Sequence, residues 1–376
     1  MKIGILTFWW GSDNYGQILQ AFALQKYLKS QGHDAYLVRY KPKAVGLRAK
    51  LKRVLSVSTL WSYLKSRKSA KRSSEFQRAH PRYFSEFVRT RFTLSPRTYS
   101  SLDDLRKNPP EADAYGVGSD QVWNKSVGLN NFGRAWFLDF GSDTVRRFSY
   151  AASFGMKNLP EDYRRFFSPL LRRFDAISVR EAEGVEFSTH MGRPDASLVC
   201  DPTLLLSKDD YCSLISDMSD KSDGKSLVCY MLGHACDFPK ESINAFIREN
   251  NLELHYVPSQ GAESRDYYSE IETPTIEGWL QLYRDAEYVV TNSFHGTVFA
   301  ILMQKKFLVL PLSGRSGAMN GRLATLLASV GLSDRLLKNR DDFSGILRRE
   351  IDWRGVSLEI SKIREKGFSF LGDVLK

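Results

Sequence analysis

The sequence predicts an α/β protein made of two Rossmann-like domains that face a central cleft. Its 376 residues exceed what one hydrophobic core usually organises. Short apolar runs of strand length alternate with amphipathic, helix-like stretches along most of the chain. A polar stretch at residues 206–225 divides these alternations into two series. Each series is typical of a doubly wound domain.

The first series begins with an apolar run at residues 2–8, which a polar, glycine-rich turn stops as it would a buried parallel strand. Residues 16–28 place apolar side chains on one helical face, and Gly32 ends that helix. Residues 35–40 then complete a βαβ unit. Further strands are predicted at 112–118, 147–150, 176–179 and 197–200, so the N-terminal domain is predicted to cover 1–205.

The second series follows a linker at 206–225 and forms a C-terminal domain at 226–345. Its strands are predicted at 226–232, 253–257, 288–291 and 307–310, and its helices at 238–249, 275–283, 296–303 and 321–330. Residues 346–376 form a helical tail that could fold back onto the N-terminal domain. Ligands of open α/β sheets bind at the carboxyl ends of the strands, so the chemistry is expected between the two domains.

The net charge of +11 originates in one segment. Residues 41–97 contain sixteen Lys or Arg and only two Glu, which leaves the rest of the chain slightly acidic. We interpret this segment as a basic helical insertion at about 41–110. Its charge has two interpretations: a solvated helical face, or attraction to a phosphate-rich partner such as an anionic membrane leaflet or a lipid pyrophosphate. No nucleic-acid-binding motif accompanies it, so no nucleic acid partner is expected.

Hydropathy and cysteine spacing argue against several other classes of protein. No run approaches the ~20 apolar residues of a membrane span, and residues 1–10 lack the length and cleavage site of a signal peptide. The four cysteines form no C-x-x-C pair and have no histidine at zinc-ligand spacing. We therefore expect a cytoplasmic protein with reduced thiols and no metal.

Two polar loops of the N-terminal domain follow predicted strands at the cleft edge. The loop at 11–16 leads into the first helix, and its candidate ligand-binding residues are Asn14, Tyr15 and Gly16. Its amides could receive an anion, although a plain tight turn explains it equally well. The loop at 118–124 combines Asp, Gln, Trp and Asn, a mixture that is difficult to explain as solvated loop. Its candidate binding residues are Ser119, Asp120 and Gln121.

Arg180 ends a predicted buried strand, where an unpaired guanidinium is costly. Either a carboxylate such as that of Glu181 neutralises Arg180, or the arginine awaits an anionic ligand.

The sequence at 292–296 holds the strongest catalytic candidate, His295. It follows an apolar strand and starts a helix, whose exposed amides favour negative charge. A histidine can transfer protons near neutral pH, and Gly296 permits a close approach of the backbone to a ligand. Asn292 and Ser293 are candidate ligand-binding neighbours. The alternative is a core histidine whose hydrogen bonds are internal.

Six motifs then occur in order between Asn14 and about Arg335: N-Y-G-Q-I-L-Q-A-F-A-L, G-S-D-Q-V-W-N, F-S-Y-A-A-S-F-G, I-S-V-R-E, D-P-T and T-N-S-F-H-G. Together they resemble the polysaccharide pyruvyl transferase family. The resemblance implies a glycosyltransferase-B-like arrangement of the two domains. It also implies transfer of the enolpyruvyl carbons of phosphoenolpyruvate onto a sugar as a pyruvate ketal, with no metal or other cofactor.

The resemblance also implies roles for individual residues. His295 would act as a general acid, Asp120 would orient or deprotonate the acceptor hydroxyl, and Arg180 together with the amides of 295–298 would bind phosphoenolpyruvate. Many family members carry an arginine two residues before the histidine, where this sequence has Ser293. Either Arg180, Arg315 or Arg322 supplies the missing charge, or this subgroup uses a different donor.

The leading hypothesis is a ketal-forming pyruvyl transferase that acts on a surface or exopolysaccharide intermediate. We expect this glycan acceptor to be lipid-linked at the inner face of the cytoplasmic membrane, with the basic insertion facing it. One alternative is a nucleotide-sugar-dependent glycosyltransferase of the same architecture. Another is a non-catalytic component of a polysaccharide assembly complex.

Overall fold

The computed structural model of the chain describes residues 1–11, 13–42, 75–215, 225–233, 236–259, 267–314, 317 and 320–376. Within them the chain forms two all-parallel β-sheets with helices packed around both. Most of the predicted basic segment, at 43–74, lies outside the described residues, and so do His234 and Arg315. The membrane-facing role of that segment therefore stays a prediction.

The first sheet has seven strands in the order β3-β2-β1-β4-β5-β6-β7. The strands are β1 (Lys2–Leu6), β2 (Asp34–Tyr40), β3 (Leu94–Tyr99), β4 (Ala114–Val117), β5 (Arg146–Ala152), β6 (Ala176–Val179) and β7 (Ser197–Leu198). Ile3 in β1 pairs with Ala35 on one side and Ala114 on the other. The direction of the strand order reverses between β1 and β4, which is where such sheets bind ligands.

Helices connect these strands and cover both faces of the sheet. They are α1 (Tyr15–Ser30), α2 (Phe84–Arg91), α3 (Leu102–Lys107), α4 (Asn131–Ala135), α5 (Glu161–Leu171), α6 (Ala182–His190) and α7 (Lys208–Cys212). The apolar runs of β1, β4 and β6 are buried because helices shield the sheet from water on both faces.

The described part of the predicted helical insertion at about 41–110 contains the helices α2 and α3 but also a strand, which the prediction did not include. Leu94–Tyr99 is the edge strand β3 and pairs in parallel with β2. The alternation L-S-P-R-T-Y is weak, and an edge strand needs only one partner, so local periodicity did not reveal it. The described first half of the predicted linker, residues 206–215, contains the helix α7, whose Tyr211 is fully buried.

The second sheet has four strands in the order β11-β10-β8-β9. They are β8 (Ser226–Leu232), β9 (Glu253–Ser259), β10 (Tyr288–Thr291) and β11 (Lys306–Val309). Its helices are α8 (Lys240–Asn250), α9 (Ile276–Asp285), α10 (Phe294–Leu302), α11 (Asn320–Ser329) and α12 (Phe343–Arg348). Here the strand order reverses between β8 and β10, so the loop after β10 occupies the corresponding ligand-binding position.

The last helix, α13 (Trp353–Val374), packs against the N-terminal half of the chain. Phe368 stacks on Tyr27 of α1 with ring centroids 5.1 Å apart. Arg364 donates a hydrogen bond to the carbonyl of Leu206 at 2.7 Å. These contacts attach the end of the chain to the first domain, in addition to the contacts between α1 and α10 that join the two domains.

The part of the chain that the structure describes contains no helix that is both long and apolar enough to cross a bilayer. The four cysteines are free, and Cys200 and Cys229 are buried. No cluster of three or more potential metal-ligating side chains occurs among the described residues.

Candidate active site

A cavity of about 440 Å³ lies between the carboxyl ends of the two sheets. It is lined by the loops after β1, β4 and β10 and by the start of α11. A wider groove of about 970 Å³ lies between α13 and the amino ends of β5, β6 and β7. That groove contains none of the candidate residues and lies at the opposite edge of the sheet, so we assign the site to the smaller cavity.

His295 lies in the first turn of α10 and lines this cavity. Its ring packs directly against Gly16 of α1, where a Cβ atom would lie only 2.1 Å from the His295 Cγ. On its other side, His295 Nε2 lies 3.5 Å from a carboxylate oxygen of Asp201. His295 belongs to the C-terminal domain, but its ring lies between two parts of the N-terminal domain, the helix α1 and the carboxylate of Asp201.

Asp201 follows β7 and is the buried centre of the site. It accepts hydrogen bonds from the Thr203 hydroxyl at 2.7 Å and the Arg180 Nη1 at 2.6 Å. Burial alone would raise the pKa of Asp201, but the His295 imidazole and the Arg180 guanidinium outweigh burial and hold this pKa well below its usual range. The carboxylate is thus charged wherever the protein is folded near neutral pH.

Sequence reasoning did not assign Asp201 to the site. The available signal was the D-P-T motif, in which an aspartate comes directly after an apolar strand. Its partners His295 and Arg180 lie far from it along the chain, so only the fold shows why an aspartate is needed there.

Arg180 is buried and ion-paired, which answers the alternative that the sequence left open. It contacts Asp201, and its Nη2 lies 3.7 Å from a carboxylate oxygen of Asp120. Burial opposes the charged form, yet the carboxylates of Asp201, Asp120 and Glu181 raise the pKa of Arg180. Glu181 itself accepts hydrogen bonds from the Ser153 hydroxyl and nearby amides. Arg180 lines only a smaller cavity of about 100 Å³ that adjoins the main one at Phe294.

Asp120 lines the main cavity and adopts a left-handed backbone conformation with φ of 67°. This conformation is uncommon for residues other than glycine and clusters at functional sites. Two amides, those of Val122 and Ser153, donate to its carbonyl at 2.8 and 3.0 Å and hold the loop in place. The neighbouring Gln121 also lines the cavity and accepts a hydrogen bond from Asn124.

Arg322, in the first turn of α11, is the free cation of the cavity wall. Among the described residues it forms no ion pair, and its Nε is buried without a hydrogen-bond partner. Burial and the nearby Arg180 lower the pKa of Arg322 to about 10, so the group remains charged at neutral pH. The Phe294 ring lies near both guanidinium groups, 5.8 Å from that of Arg322 and 4.6 Å from that of Arg180. A partly buried guanidinium that forms no ion pair within the described part of the chain favours an anionic ligand.

Two helices begin at the cavity, and their N-cap side chains line it. Asn14 caps α1 by accepting from the amide of Gln17, and Ser293 caps α10 by accepting from the amide of Gly296. The amide of Thr297 donates to the Ser293 carbonyl. The expectation that the amides of 295–298 bind an anion is therefore too broad. At the start of α10, at most the amides of Phe294 and His295 are available to a ligand. The positive ends of both helix dipoles still favour negative charge in the cavity.

Three other sequence candidates have structural rather than cavity-lining positions. Tyr15 is fully buried, stacks on Trp279 at 5.1 Å and donates to the Pro274 carbonyl at 2.7 Å. Ser119 is fully buried and donates to the Ala151 carbonyl. Gly296 provides space for Thr291, because a Cβ there would lie 2.5 Å from its hydroxyl. These residues shape the walls without facing the cavity.

Asn292, in contrast, both lines the cavity and joins two strand-end loops. Its side-chain oxygen accepts from the Leu232 amide at 2.8 Å, and its amide group donates to the Leu232 carbonyl at 3.0 Å. The loops after β8 and β10 are thereby held together at the point where the second sheet reverses its strand order.

The contact between Gly16 and His295 makes a testable prediction about stability. We expect Gly16→Ala to lower the free energy of unfolding by about 1–3 kcal/mol, because the new methyl group forces the His295 ring out of its place. The measurement is urea unfolding. Gly372→Ala is the control, since that helical glycine faces open space and alanine there should be neutral or stabilising. Equal effects of the two substitutions would contradict the observed contact.

Comparisons with known proteins bear on the fold and the family. None of the curated proteins matches the sequence. The UDP-GlcNAc 2-epimerase of Methanocaldococcus jannaschii, solved with UDP-GlcNAc and UDP, has a TM-score of 0.51 at 11% identity and covers 97% of this chain and 100% of its own. The UDP-N-acetylglucosamine 2-epimerase of Rickettsia bellii has a TM-score of 0.51 at 10% identity, over 100% of this chain and 98% of its own. These likenesses confirm the glycosyltransferase-B-like fold.

The sequence itself identifies the family. The polysaccharide pyruvyl transferase family model matches residues 14–314, which include Asp120, Arg180, Asp201 and His295. This match confirms the resemblance drawn from the six motifs and extends over most of the chain. The chain belongs to the polysaccharide pyruvyl transferase family.

Proposed function

We propose that this protein transfers the enolpyruvyl carbons of phosphoenolpyruvate onto a sugar and closes them into a pyruvate ketal. One observation carries the proposal: a histidine whose Nε2 lies 3.5 Å from a buried carboxylate lines the same interdomain cavity as an arginine that forms no ion pair among the described residues. Membership of the family supports a transferase. The cavity supports an anionic donor because its free cation and two helix N-termini all favour negative charge.

Arg322 is the donor-binding arginine in this proposal. Arg180 is already paired with Asp201 and Asp120, whereas Arg322 has no such partner among the described residues and lines the cavity. A guanidinium can hold a carboxylate or phosphate through two parallel hydrogen bonds. Arg322 would thus supply the charge that Ser293 does not, at the position where many family members have an arginine.

His295 is the general acid in the proposed reaction. It protonates the methylene carbon of phosphoenolpyruvate while a sugar hydroxyl oxygen bonds to the central carbon, and Asp120 accepts the proton of that hydroxyl. The bond between the central carbon and the phosphate oxygen then breaks, and a second hydroxyl of the sugar bonds to the same carbon. That hydroxyl gives its proton to the departing phosphate, and the proton on Asp120 returns to His295 through solvent. The products are the cyclic ketal and phosphate.

Asp201 and Arg180 are positioning residues in this reaction. Asp201 stabilises the protonated imidazole and orients it, as a buried carboxylate does for a catalytic histidine. Arg180 holds Asp201 and Asp120 in the same cluster. The positions of Asp120, Asp201 and His295 therefore depend on the guanidinium of Arg180.

The acceptor in this proposal is a glycan intermediate of surface or exopolysaccharide synthesis, carried on a lipid at the cytoplasmic face of the membrane. The basic residues between 41 and 97 support it by their charge, since cationic segments are attracted to anionic lipid surfaces. The proposal places the protein peripherally at that surface.

The donor is tested by thermal stabilisation. We expect phosphoenolpyruvate well above its Kd to stabilise the protein by roughly 3 kcal/mol, because it binds only the folded state. Arg322→Gln should lose most of this shift, whereas Arg89→Gln, which removes an exposed arginine paired with Glu86, should keep it. A shift with nucleotide-sugars and none with phosphoenolpyruvate would instead support the glycosyltransferase alternative.

A further inference from the structure

We propose that Trp10, supported by Phe8 and Trp136, is the platform on which the ring of an uncharged acceptor sugar stacks. The inference rests on the proposed function in one respect, that the acceptor is a sugar. It adds the location of the acceptor, its charge class and a residue that selects it.

Phe8 and Trp10 come directly after β1 and line the cavity. Both are partly exposed, although aromatic side chains of this size are usually buried in a domain core. Their position at the reversal of the strand order, beside the start of α1, places them in the half of the cavity that the N-terminal domain forms.

A group of aromatic rings holds Trp10 from behind. Trp136 is fully buried and stacks near Trp10, with ring centroids 6.4 Å apart and planes inclined by 29°. Phe8 packs against Trp136 at 4.7 Å and meets Trp10 edge-on at 5.8 Å. Trp9 meets Trp10 edge-on from a further direction. The indole is therefore held in position and needs little reordering to receive a ligand.

The polar groups on this side of the cavity are suited to sugar hydroxyls. Asn14, Gln17 and Gln121 line the same wall and carry neutral amides, which can both donate and accept hydrogen bonds. A pyranose ring has apolar C–H faces and a rim of hydroxyls. An aromatic surface bordered by amides matches both features of such a ring.

The charges of the cavity divide it into two halves. Arg322 and His295, which are contributed by the C-terminal domain, supply cationic character on one side. On the side of Trp10, the charged group among the described lining residues is the carboxylate of Asp120. An anionic donor therefore belongs beside Arg322. A sugar that carries a carboxylate or phosphate would find no cation for its charge among the described lining residues on the Trp10 side, since the Asp120 carboxylate there already faces Arg180.

Saturation-transfer-difference NMR tests the platform without requiring turnover. The probes are the methyl glycosides of glucose, galactose, mannose and N-acetylglucosamine, with methyl glucuronide and UDP as contrasting ligands. We expect the wild-type protein to saturate the ring C–H protons of at least one neutral glycoside, and not those of the glucuronide. Trp10→Leu should bind that glycoside about tenfold more weakly, because it lacks the aromatic face.

Trp353→Leu is the matched control, since Trp353 lies on α13 and does not line the cavity. It should bind the glycoside as the wild type does. The thermal shift with phosphoenolpyruvate should be the same in Trp10→Leu as in the wild type, which shows that the variant is folded and separates the two half-sites. If phosphoenolpyruvate stabilises none of these proteins, the wild type included, while the glycoside still binds, the proposed donor is refuted and the proposed platform is not.

Three results with the sugar probes would overturn the platform: no saturation transfer to any neutral glycoside, unchanged binding in Trp10→Leu, or equal binding of the glucuronide. Saturation of the UDP base protons that depends on Trp10 would identify the rings as a nucleobase site and would likewise overturn it.

Discussion

His295→Gln should lower the rate of phosphate release from phosphoenolpyruvate by about 10²-fold or more. The amide of glutamine cannot give a proton to the methylene carbon, and a positioned general acid typically contributes a factor of this size. Glutamine is preferred to alanine here because it keeps most of the volume that packs against Gly16. The rate is measured at saturating donor, so that weakened binding does not enter the comparison.

His255→Gln is the control for this substitution. His255 lies on β9 outside the cavity and is paired with Glu272 at 2.6 Å, so it should retain the wild-type rate. The stabilisation by phosphoenolpyruvate should persist in His295→Gln, because Arg322 remains in place. Full activity of His295→Gln would refute a catalytic histidine and favour the non-catalytic alternative.

Asp201→Asn should lower the free energy of unfolding by about 3–5 kcal/mol at neutral pH. The substitution removes the buried negative charge that neutralises Arg180 and leaves the guanidinium with the more distant Asp120. Urea unfolding measures the loss. Asp195→Asn is a matched control, because Asp195 also contacts an arginine at 2.6 Å but is 56% exposed. An exposed pair contributes only about 0–1 kcal/mol.

The difference between the wild type and Asp201→Asn should also depend on pH in one direction. Because the folded protein holds the pKa of Asp201 well below its usual range, the carboxylate contributes stability that is fully present above its unfolded pKa of about 3.9. This contribution is lost as the pH falls further towards the folded pKa. The two proteins should therefore differ most near neutral pH and less below about pH 4. A constant difference from pH 7 to pH 3 would show that Asp201 acts through packing alone.

Local sequence patterns were sufficient for much of the fold. The periodicity of residues 2–40 predicted β1, α1 and β2 because each element has its own apolar pattern and end signals. The same local signals predicted His295 at the start of a helix after a buried strand. These local signals did not predict β3, because its short stretch alternates only weakly and is stabilised by pairing with β2.

The tertiary structure was needed to identify which residues the site residues contact. Arg180 had an obvious candidate partner in its neighbour Glu181, but the fold pairs it with Asp201. Gly16 resembled a ligand-binding glycine and proved to provide space for His295. Trp10 lies just after the predicted first strand and had no predicted role, and only the fold shows that it lines the cavity.

The sequence by itself thus determined the fold class, the family and the loop that carries His295. Only the tertiary structure decided that Asp201 lies beside this histidine, that Arg322 forms no ion pair among the described residues, and that Gly16 adjoins the His295 ring. The physical reason is the range of the interactions involved. Helix and strand signals act between residues a few positions apart, whereas His295 and Asp201 lie 3.5 Å apart across the junction of two domains. Such a pairing exists only after both sheets have formed and packed together.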